Sequence, residues 1–173
     1  MPARPIADSL FFKLVRLVNL TARPFVETLS LAHRLSLNEW RVMVVLAAHP
    51  GVAATDVVEA TGLDKMSVSR ALASLVRAGR VGKSADPADA RRTRLALSAR
   101  GQALFERIAA VGAERETQLF SGISGLEQAQ MSQIADRMIA SLREAPLGPE
   151  GGANADARTA SKPKQGRAHS ARA

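Results

Sequence analysis

The run TGLDKMSVSRALASLVRAGRVGK, residues 61–83, constrains the fold more than any other part of the chain. Asp64 stands where an N-cap belongs, its carboxylate able to accept from the free N–H groups of a first helical turn. Gly79 stands where that helix should stop, because glycine reaches the left-handed conformation that closes a helix at little cost. Between them Val68, Ala71, Leu72 and Leu75 recur at helical spacing and define one apolar face. Lys65, Met66, Ser69, Arg70, Ala73, Ser74 and Arg77 fall on the other. A shorter helix over 56–61, with Thr55 as its expected cap, is stopped by Gly62 directly ahead of this one. Only TGLD joins the two. Beyond Gly79 the period changes. RVGKSA and TRLALS read as short strands, and DPADAR between them is a turn-rich connection led by Asp-Pro.

The flanks are helical. Asp8 or Ser9 can cap a first helix that carries Leu10, Phe11, Leu14, Leu17, Val18 and Thr21 on one stripe. Pro24 interrupts its hydrogen-bond ladder, which predicts a kink or a second short piece through about residue 32. The next helix is expected to start after Asn38 as N-cap, to turn Trp40, Met43, Val44 and Ala47 inward, and to end at HPG, 49–51. Ser98 caps a long helix carrying Leu104, Phe105, Ile108 and Val111. SGLE, 124–127, is a capping box opening a last helix striped with Met131, Ile134, Met138, Ile139 and Leu142. Aromatics make up only 3% of the chain, so aliphatic side chains must fill the core. After residue 145 the composition turns to Pro, Gly, Ala, Ser, Lys and Arg, too poor in apolar groups to offset the entropy of ordering.

Helix, tight turn, helix and hairpin together spell a winged helix-turn-helix, a mostly α fold with a small β-wing. The expected organisation is an N-terminal dimerisation helix in 1–35, a winged helix-turn-helix lobe in 36–98, C-terminal dimerisation helices in 99–145 and a disordered basic tail in 146–173. The outer helices are assigned to dimerisation because their apolar stripes lie outside a compact winged helix and need something to bury against.

Charge points to the partner. The chain carries a net +8, but unevenly. Residues 63–101 hold nine cations against three acids, a net of +6, while 1–62 and 102–145 are near neutral. The tail adds five cations against two acids. A concentrated basic block is the electrostatic footprint of a polyanion-binding face. A helix with a small, polar, basic leading end fits a major groove about 12 Å wide. Lys65, Met66, Ser67, Ser69, Arg70, Ser74 and Arg77 are therefore its candidate DNA contacts. Arg70 is suited to guanine or phosphate, and Ser67 and Ser69 to phosphate or base edges. Arg91, Arg92 and Arg94, in the turn and second strand of the hairpin, suit a narrow minor groove, where the potential is most negative. Asp86 and Asp89 are expected to start the turn or to hold these arginines by charge-assisted bonds.

From about residue 8 to 143 the chain resembles the MarR family of winged-helix transcriptional regulators. The resemblance rests on LSLNEWRVMVVLAAHPG, LDKMSVSRALASLVRAGRVGK and above all DPADARRTRLALSARG. The last is similar to the family's wing signature, Asp-Pro-x-Asp followed by two basic residues and a strand ending in Leu-Thr and a Gly. Two positions depart from it: Ala90 stands at the first basic position and Ser98 at the usual threonine. Arg91 is the match to the family's minor-groove arginine. The resemblance implies an obligate homodimer reading a pseudo-palindromic duplex, and a repressor that responds to a small aromatic or anionic effector held between the dimer arms and the DNA-binding lobe. Phe11, Arg16, His33, Trp40 and Met43 are the candidates for lining that cleft, although Trp40 and Met43 also read as core, and His33 and Arg16 as surface residues.

Other classes find little support. The chain has no cysteine, which excludes a disulfide framework, a thiolate zinc site and a thiol switch. Its three histidines are scattered, so no metal site and no cofactor are expected. Neither a nucleophile–base pair nor a phosphate loop suggests an enzyme. A cytoplasmic protein without signal peptide or membrane span is the plain expectation. The alternative to a ligand-controlled regulator is an architectural, nucleoid-associated DNA-binding protein that uses its basic tail for non-specific affinity.

Overall fold

The computed structural model describes residues 6–24, 30–89 and 92–144. A 3-10 turn, Ile6–Asp8, precedes α1 (Leu10–Pro24), and α2 is a single turn, Leu31–His33. Then come α3 (Leu37–Ala48), α4 (Ala54–Thr61) and α5 (Lys65–Arg77). Strands β1 (Val81–Ala85) and β2 (Thr93–Leu97) follow, and α6 (Ala99–Leu119) and α7 (Gly125–Glu144) complete the chain. The expected tail lies outside the described residues. The chain divides into two compact units, Met1–Leu119 and Phe120–Ala173.

Caps decide where the helices start. Asp64 accepts from the Ser67 N–H at 2.8 Å, and the helix it opens ends at Gly79 (φ +65°), as its sequence predicts. Two starts differ from expectation. Ser36, not Asn38, caps α3: its hydroxyl accepts from Glu39 N at 3.2 Å while Glu39 Oε2 accepts from Ser36 N at 2.6 Å. A capping box needs a glutamate three residues after the cap, and of these two candidates only Ser36 has one. In α4 the Asp56 carboxylate reaches back to the Ala53 N–H at 2.9 Å, so the helix begins at Ala54 and Thr55 lies inside it.

In the first unit α3, α4 and α5 pack on one another and on the sheet. Val68, Ala71, Leu72 and Leu75 of α5 are all buried, and they meet Val42, Met43 and Leu46 of α3, Val57 of α4, and Val81 and Leu95 of the strands. Burying a side chain such as Leu75 stabilises by about 1.5–3 kcal/mol. The inner face of α3 is rotated by one residue from the expected one. Val42 and Leu46 are inside with Met43, while Val44 is exposed. Apolar residues surround almost the whole of α3, so periodicity alone cannot choose between faces about 100° apart. The first half of α6 adds Leu104 and Ile108 to the same core, which therefore runs past the boundary expected at residue 98.

The hairpin is antiparallel, with Val81 opposite Leu97, Lys83 opposite Leu95 and Ala85 opposite Thr93. A pairing not foreseen from sequence extends it: Gly51 N donates to Leu95 O at 2.8 Å, and Leu95 N to Val52 O at 3.0 Å. This stitches the α3–α4 connection to the free edge of β2 and fixes the wing's root. Ser98 caps α6, accepting from Gly101 N at 3.0 Å and donating to Gly79 O at 2.7 Å.

In the second unit the Ser124 and Glu127 box opens α7 as expected, with Glu127 Oε2 accepting from Ser124 N at 2.8 Å. Neither α7 nor α1 buries a residue in the single chain, so the apolar stripes of both stand exposed.

Candidate nucleic-acid interface

The outward face of α5 is what its sequence predicts. Lys65, Met66, Ser69, Arg70 and Arg77 are exposed, and Ser74 is half-buried toward the helix end. Ser67 differs from its neighbours. Its hydroxyl donates to Asp64 Oδ2 at 2.6 Å while its backbone N–H bonds the same carboxylate. These bonds hold the Asp64 carboxyl below the ordinary aspartate range, the Ser67 hydroxyl contributing most. Ser67 thus serves first as part of the cap that shapes the leading end of α5.

Strand pairing sorts the wing's side chains. Residues directly opposite in an antiparallel pair lie on one face of the sheet. Val81, Lys83 and Ala85 therefore share a face with Leu97, Leu95 and Thr93. At the root that face is apolar and closes the core. Further out it overhangs α5 and forms one wall of an open hollow of about 720 Å³. Lys65, Ser69 and Ala73 of α5, Thr55 and Val58 of α4, and Lys83, Arg92 and Thr93 of the wing line it. Three cations thus come together: Lys65 from the start of α5, Lys83 from the middle of β1 and Arg92 from just before β2. Lys83 and Thr93 were not foreseen from sequence, because strand register decides which strand residues overhang α5, and Thr55 was expected only as a helix cap.

Arg94 lies on the opposite face, paired across the ladder with Ser84. Its Nε donates to Asp86 Oδ2 at 2.9 Å, and its side chain lies beside Gly51. Asp86 also accepts from Ala88 N at 2.8 Å, and its own N–H donates to Arg92 O at 2.9 Å. Its carboxyl is held below the ordinary range, chiefly by the Arg94 bond. The expected pairing of Asp86 with a wing arginine therefore forms, and it ties Arg94 to the turn rather than leaving it free toward the hollow. Arg91 lies outside the described residues.

The five cleft candidates do not share one environment. Phe11, 75% exposed, and Arg16 stand on the surface of α1. Met43, on α3, is 0% exposed and belongs to the core cluster that includes the inner face of α5. His33 is half-buried and offers its backbone carbonyl to Arg80. Trp40 is half-buried and stacks on Phe105 with ring centroids 5.3 Å apart and planes 21° from parallel. Phe105 was expected only as an apolar helix residue. Among the described residues no group of His, Asp and Glu side chains is arranged to hold a metal ion. No described helix is long and apolar enough to cross a membrane.

A capped recognition helix, a wing overhanging it and cations converging between the two define a winged helix-turn-helix DNA-binding regulator. Residues 34–92 match the family model described as MarR family. The chain is similar to the transcriptional regulator HosA of Escherichia coli O111:H-, 28% identical over 101 residues that cover 58% of this chain and 75% of the relative. The fold is shared with a MarR/EmrR family transcriptional regulator from Acinetobacter sp. ADP1. The TM-score there is 0.74 at 21% identity, covering 82% of this chain and 99% of the other. Bordetella bronchiseptica BpsR, whose DNA binding is regulated by 6-hydroxynicotinic acid, is similar with a TM-score of 0.68 at 22% identity, covering 79% of this chain and 96% of BpsR.

Proposed function

We propose that the protein is a homodimeric, ligand-responsive repressor that reads a pseudo-palindromic operator, with α5 in the major groove and the arginines of the wing at the adjacent minor groove. The observation that carries this reading is the junction of α5 and the wing. There Lys65, Lys83 and Arg92 line one hollow, and Arg70 and Arg77 stand exposed along the same helix. Cations so placed follow the phosphates on both sides of a groove, while Ser69 and Arg70 reach base edges. The exposed stripes of α1 and α7 supply apolar surface for a second copy, and a two-fold pair presents two recognition helices about one helical turn of DNA apart. An aromatic carboxylate is the effector class favoured here. It fits beside flat apolar rings such as the Trp40 and Phe105 stack, and a compound of that class regulates the structurally similar BpsR.

The test is selection of duplexes by the purified protein, followed by titrations at several salt concentrations. One sequence class should be enriched, with log affinity falling by about 0.9 per phosphate contacted for each decade of salt. Arg70→Ala should weaken selected duplexes strongly. Arg92→Ala should weaken all duplexes alike and reduce the salt slope. Equal affinity for every duplex would overturn the operator reading and favour an architectural protein. Aromatic carboxylates should then release the selected duplex, and a release-free titration across that class would remove the effector from the proposal.

A further inference from the structure

We propose that Met66 is a specificity-determining residue, placing its thioether chain against the C5-methyl of a thymine about two base pairs from the base that Arg70 reads. The inference rests on the DNA-reading role of α5 proposed above and deepens it. Met66 is 61% exposed in the first turn of α5, while the apolar residues of the inner face, Val68, Ala71, Leu72 and Leu75, are each at most 6% exposed. It therefore contributes nothing to the core. Its neighbours on the outer face, Lys65, Ser69 and Arg70, are polar or charged and also exposed.

An unbranched apolar chain on an otherwise polar reading surface selects for its complement. Of all the groups that the four bases present in the major groove, only the thymine methyl is apolar; the rest are hydrogen-bond donors and acceptors. A methionine placed over one of those would strip its water and return no hydrogen bond. Over a thymine methyl it removes apolar surface from water on both sides, and its flexible chain adapts to the methyl's position. The spacing follows from the helix. Met66 and Arg70 are four residues apart, so they lie on one face about 6 Å apart along the axis. With base pairs about 3.4 Å apart, that is about two steps of duplex.

The experiment starts from duplexes that the wild-type protein and Met66→Gln each select from a random pool. Wild-type selection should give a thymine about two positions from the guanine whose enrichment Arg70→Ala abolishes. Replacing that thymine by uracil removes one methyl and nothing else. Wild type should lose about fourfold in affinity, from ~0.8 kcal/mol per buried carbon group. Met66→Gln should lose nothing further, and Met66→Leu should keep the wild-type response. If uracil is tolerated at every thymine of the selected half-site, or costs Met66→Gln as much as wild type, the inference is overturned while DNA reading by α5 stands. If no sequence is enriched at all, the reading of the site falls and this inference with it.

Discussion

Arg80 Nη2 donates to the carbonyl of His33 at 2.6 Å, and Nη1 to that of Arg34 at 3.2 Å. The residue leaves α5 and opens the wing, yet its side chain holds the segment between α2 and α3. Arg34 has φ +47°, the left-handed region that a side chain ordinarily avoids at a cost of about 1–2 kcal/mol. The backbone of Arg80 is engaged as well, its N–H with Leu75 O at 2.8 Å and its carbonyl with Ser98 N at 2.9 Å. One residue thus joins the entry to α3, the end of α5 and the start of α6.

Arg80→Ala should therefore destabilise the first unit by about 1–2 kcal/mol, the range of one or two charge-assisted hydrogen bonds that are partly open to water. Thermal denaturation should fall by a few degrees. Arg80→Lys should recover only part of the loss, because a single ammonium cannot reproduce the guanidinium fork on two carbonyls. An unchanged melting temperature in Arg80→Ala would show that the segment holds its position without the bridge.

Gly101 lies against the backbone of Arg80 so closely that a Cβ would overlap the Arg80 carbonyl. That carbonyl is already fixed by the Ser98 N–H, and a backbone group cannot swing aside as a side-chain tip can. Gly101→Ala should cost about 1–3 kcal/mol or more and should detach the start of α6 from the wing root. Chemical denaturation measures the cost. The control is Gly112→Ala, also in α6, where a Cβ meets nothing within 4 Å and helix propensity should make the change neutral or favourable.

The pairing of Asp86 with Arg94 predicts the behaviour of the wing in acid. The folded carboxyl is more acidic than an unfolded aspartate, so the unfolded chain takes up the proton first. The stabilisation is whole above the ordinary value of 3.8 and is lost as pH falls through the lower folded value. Asp64, lowered by its Ser67 bonds, has the same sign at the cap of α5. Amide exchange at Ala88, whose N–H bonds Asp86, should be unchanged from pH 8 to 5 relative to intrinsic rates. Protection should fall only below that range. Asp86→Ala should expose the same amide at neutral pH, with little change in global stability, as expected for a partly exposed ion pair at the wing.

How far all this was legible in the sequence differs by element. The run from Asp64 to Gly79 could be read residue by residue, because a cap, one apolar stripe and a glycine stop agree there. The wing could be placed from the change in period, and Asp86 could be tied to an arginine from charge alone. Register could not be read, since a two-residue side-chain period fits any even shift. Which strand residues overhang α5 depends on that register, so Lys83 and Thr93 were not foreseen there. The face of α3 was ambiguous because apolar side chains surround it. Gly101 was visible as part of a wing signature, but its reason, the Arg80 carbonyl at its back, exists only in three dimensions.

The apolar stripe of α7 carries the last prediction. Met131, Ile134, Met138, Ile139 and Leu142 are each between 42% and 54% exposed in the single chain, a pattern that water disfavours and a second copy would relieve. Ile139→Asp places a charge in that stripe without touching the buried core of the first unit. Sedimentation should show the mass falling from dimer to monomer, with the helical circular dichroism of the lobe retained. Two linked recognition helices gain affinity from the second contact being intramolecular, by a factor on the order of 100 or more. The variant should therefore lose about that factor on a two-half-site duplex and almost nothing on an isolated half-site. A dimeric Ile139→Asp, or an equal loss on both duplexes, would show that this stripe does not carry the proposed dimer contact.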